Sequence, residues 1–203
     1  MHIADGVLPF SITAAGYALT VCGVGISLRT LHNEDLPKIA VVTASFFVAS
    51  LVHLPLGPTS VHLLLPGIVG ALLGSSSFLS ITIGLFLQSL LFQFGGLTAL
   101  GANALMMGTP ALICGWLFRR IRGQTRTSNA VAGALVSGIG TMMAACILAA
   151  LLMTAGEDFW GVARVAMIAH IPVIVVEALV GAGIVSFLYQ VKPELLIPGA
   201  ASG

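Results

Sequence analysis

One uninterrupted stretch of uncharged sequence limits the fold more than any other feature. Residues 39–118 contain no Asp, Glu, Lys or Arg. A helix needs roughly 20 residues to cross the core of a lipid bilayer, and a charge at the centre of that core costs several kcal/mol. This stretch of 80 residues therefore has room for about four membrane-spanning helices. Because charged residues make up only 7% of the chain, the sequence predicts an integral membrane protein.

Clusters of Gly, Pro and Ser divide the uncharged stretch into four segments. These clusters lie at residues 53–60, 74–77 and 95–96. One further apolar segment precedes the stretch and two follow it. We therefore expect an all-α membrane protein, a bundle of about seven transmembrane helices that forms a single domain over residues 1–203. The predicted spans are 9–29, 38–55, 61–74, 78–95, 98–118, 127–153 and 162–189, and residues 1–8 form an external N-terminal segment.

The basic residues indicate how the chain is oriented. Lys and Arg in short loops collect on the cytoplasmic side of a membrane. With four spans between Lys38 and Arg119, seven of the eight basic residues lie on one side. We therefore expect the N-terminus outside and the C-terminus in the cytoplasm. The first residues lack the basic region of a cleavable signal peptide, so we expect the chain to begin at or next to Met1.

Composition and motifs exclude several classes of function. The formal net charge is +1, without the basic patch and stacking aromatic residues that a nucleic-acid partner requires. The sequence contains no phosphate-binding GxxxxGK motif, and neither an HExxH motif nor a GxSG motif for an intramembrane protease. We therefore expect a protein that is not an enzyme and has no ATPase site of its own.

The first two residues form a candidate metal chelator. The amine of Met1, the backbone nitrogen of His2 and the Nδ1 atom of the His2 imidazole can bind one ion, because they close a five-membered and a six-membered ring around it. The amine has an ordinary pKa of about 7.7 to 8.0, so a metal can displace its proton near neutral pH. Four nitrogens in a square plane suit Ni(II) or Cu(II), so one more donor is needed.

Two histidines on the predicted outer face are candidates for the fourth donor. His53 and His62 bracket a loop rich in Pro and Gly, and either can reach the N-terminus. His62 is favoured because it begins a segment too short to span the membrane alone, and interrupted segments of transporters line binding sites. His32 lies in a cytoplasmic loop, on the wrong side of the membrane.

Two ionisable residues lie inside the last predicted span. His170 and Glu177 are seven residues apart, hence on one face of a helix, and an ionisable residue within a span is a functional hypothesis by default. Glu177 has two open interpretations, a polar tether within the bundle and a role in ion movement. Together the pair supports an alternative function, a proton-coupled secondary transporter that works without other subunits.

Three motifs resemble those of one family of membrane proteins. They are residues 1–9 (MHIADGVLP), 59–63 (TSVHL) and 101–108 (GANALMMG). In order and spacing they are similar to the motifs of the CbiM/NikM family, the substrate-binding (S) components of energy-coupling-factor (ECF) transporters for cobalt and nickel.

The resemblance also implies which residues bind the metal. In the family the ligands are the amine of residue one, the backbone and side-chain nitrogens of residue two, and the histidine of the second motif. The matching positions are Met1, His2 and His62. The resemblance places Ser60 and Asn103 near the site, with Asn103 as a hydrogen-bonding partner of the N-terminal segment.

The resemblance further implies a function and a set of partners. We expect high-affinity capture of Ni(II) or Co(II), as bound substrate, from outside the cell and its uptake by an ATP-driven ECF transporter. The expected partners are a transmembrane coupling (T) subunit, cytoplasmic ATPase subunits and the lipid bilayer, and a small accessory membrane protein is left open. The expected location is the bacterial cytoplasmic (inner) membrane, with no organic cofactor and no nucleic acid.

Extending the N-terminus by a few residues should abolish metal binding, because the amine of Met1 then becomes a peptide nitrogen. Calorimetry of the detergent-purified protein with Ni(II) measures the effect. A tag of the same length at the C-terminus is the control, and both proteins should keep the same helix content by circular dichroism. Undiminished Ni(II) affinity in the N-terminally extended protein would contradict the chelate.

Overall fold

α-Helices form most of the structure, a computed structural model that describes residues 2–51, 53–56 and 59–196. For residues 53–56 and 59–61 it describes the backbone. The α-helices of the described ranges are α1 (Phe10–Arg29), α2 (Leu36–Ser50), α3 (Pro66–Leu73), α4 (Ser77–Phe92), α5 (Leu100–Ile121), α6 (Arg126–Met153) and α7 (Trp160–Val191). Between α2 and α3, two antiparallel strands form a hairpin, β1 (His53–Leu56) and β2 (Thr59–His62).

Among the residues that the structure describes, five helical stretches are long and apolar enough to cross a membrane. They are Phe10–Arg29, Pro66–Phe92, Leu100–Ile121, Arg126–Met153 and Glu157–Val191. The prediction of a helical membrane protein is therefore confirmed, and the β1–β2 hairpin is the departure from the predicted all-α fold. The helices α2, α3 and α4 contain 15, 8 and 16 residues, fewer than the roughly 20 that cross a bilayer. The count of seven spans and the orientation of the termini therefore stay predictions.

The helices in the regions of the predicted spans 38–55 and 61–74 are shorter than those spans, Leu36–Ser50 and Pro66–Leu73. α2 ends before the first proline of this region, and α3 begins only at Pro66, because proline cannot continue an α-helix but suits its first turn. Between them the chain forms the hairpin, in which His53 is paired with His62, where the sequence predicted a loop. The other predicted spans differ from the observed helices by no more than three residues at either end.

α3 forms the centre of the bundle. All eight of its residues are buried, and it packs mainly against α5 and α6. Two glycines allow this packing. A Cβ atom on Gly67 would lie 2.3 Å from the carbonyl oxygen of Val136, and one on Gly70 would lie 2.0 Å from that of Ala111. Because lipid provides no hydrophobic force between helices, close backbone contact of this kind is what associates them.

The outer surface of the bundle is apolar, as a lipid environment requires. Large exposed side chains of α7 include Val165, Ile168, Ile171, Val175 and Leu179. Glu177, the carboxylate of the same helix, is fully buried. A buried carboxylate must find its hydrogen-bonding partners inside the bundle, because the hydrocarbon core offers none.

Gly70→Ala should destabilise the protein, because the added methyl group meets backbone atoms of α5. Overpacking of this kind costs about 1–3 kcal/mol, which corresponds to roughly 2–4 °C of unfolding temperature for each kcal/mol in a chain of this size. Gly183→Ala is the matched control, since no atom lies within 4 Å of the added carbon. Thermal unfolding in detergent, followed by tryptophan fluorescence, measures both variants. An unfolding temperature of Gly70→Ala that equals that of Gly183→Ala would contradict the close packing of α3.

Candidate metal centre

The described part of the N-terminal segment, residues 2–8, is packed onto one end of the bundle. Ile3 is 2% exposed and Leu8 is 7% exposed, and both belong to the main hydrophobic core. The segment contacts the loop between α4 and α5 and the first turn of α5. Burying an apolar side chain such as Ile3 contributes about 1.5–3 kcal/mol. The segment is therefore held as part of the fold rather than as a free tail.

Asn103 clamps the backbone of this segment. Its Oδ1 accepts a hydrogen bond from the N–H of Ile3 at 2.9 Å, and its Nδ2 donates to the carbonyl oxygen of Ile3 at 3.0 Å. Asn103 is itself buried, so both bonds are shielded from solvent. Each such bond contributes about 0.5–1.5 kcal/mol, and together they fix the peptide that follows His2.

Asp5 anchors the same segment to the start of α5. Its Oδ1 accepts hydrogen bonds from the Thr98 hydroxyl at 2.6 Å and from the backbone N–H of Ala99 at 3.1 Å. The hydrogen bond from Thr98 lowers the pKa of the Asp5 carboxyl below its ordinary value, and the bond from Ala99 acts in the same direction. A carboxylate is also favoured at this position by the dipole of α5, whose N-terminus it faces.

The loop between α4 and α5 has room for the N-terminal segment because it contains two glycines. Gly95 and Gly96 both have positive φ, +77° and +73°, which a residue with a side chain rarely adopts. A Cβ atom on Gly95 would lie 2.8 Å from the Cβ of His2, and one on Gly96 would lie 2.1 Å from the carboxyl carbon of Asp5. The two glycines therefore serve both the turn and the close approach.

The imidazole of His2 is in the state that a metal ligand requires. Burial lowers the pKa of His2 well below its ordinary value, and the neighbouring His62 lowers it as well, while the side chain of Gln88 acts in the opposite direction. The ring is therefore neutral at neutral pH, as metal binding demands. Its Nδ1 is buried and has no hydrogen-bond partner among the described residues. Nδ1 is the atom that the predicted chelate uses.

His62 is oriented by the backbone beside it. Its Nδ1 donates a hydrogen bond to the carbonyl oxygen of Leu63 at 3.1 Å. A proton on Nδ1 leaves the lone pair of the neutral ring on Nε2, and metal-binding histidines are commonly fixed in this way. The nitrogen suited to a metal is therefore Nε2.

The structure brings together two of the predicted ligands. The rings of His2 and His62 stack with centroids 5.0 Å apart and 27° between their planes. Met1 and the side chains of Ser60 and His53 lie outside the described residues. Within the described ranges, no group of three or more His, Cys, Asp or Glu side chains is placed to hold a metal ion.

Comparison with known families decides what kind of protein contains this arrangement. A sequence model described as the cobalt uptake substrate-specific transmembrane region, CbiM, matches residues 2–195. The chain belongs to the CbiM family. The resemblance of the three motifs to this family is thereby confirmed, and the chain is a membrane protein of a cobalt and nickel transport family.

Relatives of this CbiM-family chain match nearly its whole length. It is 36% identical over 199 residues to a protein of Haemophilus influenzae, with 97% of both chains covered. It is 29% identical to the cobalt transport protein CbiM of Geobacter sulfurreducens, covering 97% of this chain and 61% of the relative. A crystal structure described as a transition metal transporter has a TM-score of 0.70 at 25% identity, covering 95% of this chain and 94% of the other.

Glu177 and His170 are both buried on one face of α7. The carboxylate of Glu177 accepts hydrogen bonds from the backbone N–H groups of Leu64 and Leu65 and, at 2.6 Å, from the hydroxyl of Thr141. Nδ1 of His170 donates to a backbone carbonyl one turn earlier in α7 at 2.7 Å. These bonds are typical of a tether within the bundle, the first of the two interpretations of Glu177. A role in ion movement stays an untested prediction.

Three contributors to the candidate site were not predicted from the sequence: Asp5, the Gly95–Gly96 loop and Gln88. Asp5 in the N-terminal segment accepts a hydrogen bond from Thr98, and the Gly95–Gly96 loop packs against His2 and Asp5, so these contacts join positions about 90 residues apart in the chain. Gln88 is fully buried, and its Nε2 donates to the hydroxyl of Ser50 at 2.6 Å. A glutamine inside an apolar span was the one available signal, because polar residues within membranes are commonly functional.

Asn103→Ala should weaken Ni(II) binding about 10- to 100-fold, the typical effect of removing a group that orients a metal ligand. The substitution removes both hydrogen bonds that hold Ile3 next to His2. Asn129→Ala is the matched control, because Asn129 bonds to loop carbonyl groups at the opposite end of α5. Calorimetry with Ni(II) compares the two variants. Equal affinities in Asn103→Ala and Asn129→Ala would contradict the role of the clamp.

Proposed function

We propose that this chain captures Ni(II) or Co(II) outside the cell as the substrate-binding component of an ATP-driven ECF transporter in a bacterial cytoplasmic membrane. The observation that carries the proposal is the stacked pair of His2 and His62, at the end of the bundle where Asn103 clamps the N-terminal segment. Membership of a cobalt and nickel transport family supports the choice of metal.

The proposed ligands are four nitrogens. The amine of Met1, the backbone nitrogen of His2 and its Nδ1 form the chelate, and Nε2 of His62 completes a square plane. Two observations support this set. Nδ1 of His2 has no other partner among the described residues, and the tautomer of His62 carries its lone pair on Nε2. Because such a site favours Cu(II) over Ni(II) and Ni(II) over Co(II), metal availability must contribute to its selectivity.

In the proposed orientation the bundle of seven α-helices spans the membrane as a whole and the N-terminus lies outside. Thr30 after α1, Lys38 in the first turn of α2 and Arg119 near the end of α5 line one cavity of about 310 Å³. These helix ends therefore meet at one end of the bundle, and His2 lies beside the other end. Basic side chains mark the cytoplasmic end, which supports an external metal site.

Energy for uptake comes from other chains in this proposal, because the sequence has no motif for binding ATP. A transmembrane coupling subunit and cytoplasmic ATPases supply it, and hydrolysis reorients the substrate-binding component so that the metal reaches the cytoplasm. A small accessory membrane protein is left open. The bundle would move as one body, since α3 is packed between its neighbours with backbone contacts.

Uptake of radioactive Ni(II) into proteoliposomes tests this function. The chain reconstituted with the coupling and ATPase subunits should transport the ion only with ATP, and the chain alone should transport none, with or without a pH gradient. His2→Ala and His62→Ala should abolish uptake, because each removes a ligand. His32→Ala is the matched control, since this histidine is exposed at the opposite end of α1.

Calorimetry on the same variants separates binding from transport. His2→Ala and His62→Ala should lose Ni(II) affinity, and His32→Ala should keep it. Transport by the chain alone, driven by a pH gradient and lost in Glu177→Gln, would contradict the proposal and establish the proton-coupled alternative.

A further inference from the structure

A single peptide group links Glu177 to His62. The N–H of the peptide between Leu63 and Leu64 donates to a carboxylate oxygen of Glu177. The carbonyl oxygen of the same peptide accepts the hydrogen bond from Nδ1 of His62 at 3.1 Å. The carboxylate of α7, the peptide and the imidazole therefore form one continuous chain of hydrogen bonds, which we call the relay.

The relay can influence the nitrogen that would face a metal. A carboxylate that accepts from an N–H polarises the peptide and makes its carbonyl a stronger acceptor, because hydrogen bonds in a low-dielectric interior strengthen one another. A stronger acceptor holds the proton on Nδ1 and keeps the lone pair on Nε2. Metal-binding histidines commonly donate their second N–H to a carboxylate or a carbonyl. Here the imidazole of His62 donates to a carbonyl oxygen, and the N–H of the same peptide donates to a carboxylate.

The carboxylate itself is firmly placed. Glu177 is fully buried, and its oxygens also accept from the N–H of Leu65, at 2.9 and 3.1 Å, and from the Thr141 hydroxyl at 2.6 Å. Thr141 lies on α6 and Leu65 immediately precedes α3. Two parts of the bundle outside α7 therefore fix this side chain, and a group fixed in this way can position another.

The backbone that carries the relay is strained. Leu65 has φ +54°, in the left-handed region that a residue with a side chain rarely adopts. Conformations of this kind cost about 1–3 kcal/mol and persist only where the surroundings hold them. The N–H of Leu65 is one of those that Glu177 binds. The carboxylate therefore stabilises the sharp change of direction between the strand that ends at His62 and the helix α3.

We propose that Glu177 is a positioning residue for the metal centre: through the Leu63–Leu64 peptide it fixes the tautomer and the place of His62. This inference rests on the proposed function, in which His62 is a metal ligand. It gives the buried carboxylate of α7 a role at a site that it does not touch.

Glu177→Gln tests the relay with little change in side-chain size. The amide accepts hydrogen bonds more weakly than a carboxylate, and its NH2 group cannot accept from Leu64 at all. We expect Ni(II) affinity to fall about 10- to 100-fold, as for other residues that orient metal ligands. In the metal-free protein, the 15N chemical shifts of the His62 ring should move toward the tautomer protonated on Nε2. Unchanged affinity and unchanged shifts would overturn the proposal.

A double-mutant cycle shows whether Glu177 acts through His62. In the His62→Ala background, Glu177→Gln should cause no further loss of Ni(II) affinity, because the imidazole on which the relay acts is absent. Equal losses in the two backgrounds would overturn the proposal, because Glu177 would then act on the fold as a whole. Thermal unfolding of each metal-free variant accompanies the cycle.

If the Glu177→Gln variant does not fold, Thr141→Val provides a second test of the relay. It removes only the hydroxyl that orients the carboxylate, so we expect a several-fold loss of Ni(II) affinity. Ser137→Ala is the matched control on α6, one turn earlier, because the Ser137 hydroxyl is buried without a hydrogen-bond partner in the described part of the chain. Equal Ni(II) affinities of these two variants would overturn the relay.

The outcomes distinguish failure of the relay from failure of the proposed site. If His62→Ala leaves Ni(II) affinity unchanged, His62 is no ligand and the proposed metal site is wrong. If His62→Ala weakens binding but Glu177→Gln and Thr141→Val do not, the metal site stands and the relay is wrong.

Discussion

The pair of hydrogen bonds between Asn103 and the backbone of Ile3 is the interaction on which the rest of the proposed metal centre depends. Short terminal segments are usually poorly ordered unless something ties them down. Here the buried side-chain amide of Asn103 bonds to both the N–H and the carbonyl oxygen of Ile3. Burial of the Ile3 side chain and the hydrogen bond between Asp5 and Thr98 also hold the segment in place. With the peptide after His2 fixed, the His2 ring has a defined place against His62.

The second half of the centre depends on how buried polar groups are satisfied inside an apolar bundle. His62 lies at the end of a hairpin, and the helix that follows it is enclosed by its neighbours. The chain needs a sharp turn between the two, and Glu177 supplies the acceptors for the N–H groups that this turn exposes. In lipid no water can take that role. The packing of the bundle and the placement of His62 therefore depend on the same hydrogen bonds from Leu64 and Leu65 to Glu177.

The sequence predicts the helices well because charges and helix-breaking residues are visible along the chain. Gaps between charges, together with clusters of Gly, Pro and Ser, predict the described α-helices within a few residues, except around the hairpin, where a short apolar run with prolines does not distinguish strand, loop and helix. His2 and His62 could be selected by chemistry, and Asn103 by family resemblance. The contacts of Gly95 and Glu177 could not be predicted, because their partners are backbone groups or residues far away in the sequence. Such contacts leave no local sequence pattern.

The bond between Ile3 and Asn103 joins residues 100 positions apart in the sequence, and this separation sets the order in which the protein can mature. Chains are synthesised from the N-terminus, so residues 2–5 leave the ribosome long before the loop at Gly95 and the start of α5 exist. Residues 2–5 therefore cannot make their contacts with the Gly95 loop and α5 until those later parts of the chain have been synthesised. Assembly of the proposed metal centre is thus a late event in biogenesis, because it requires α5 as well as the N-terminal segment.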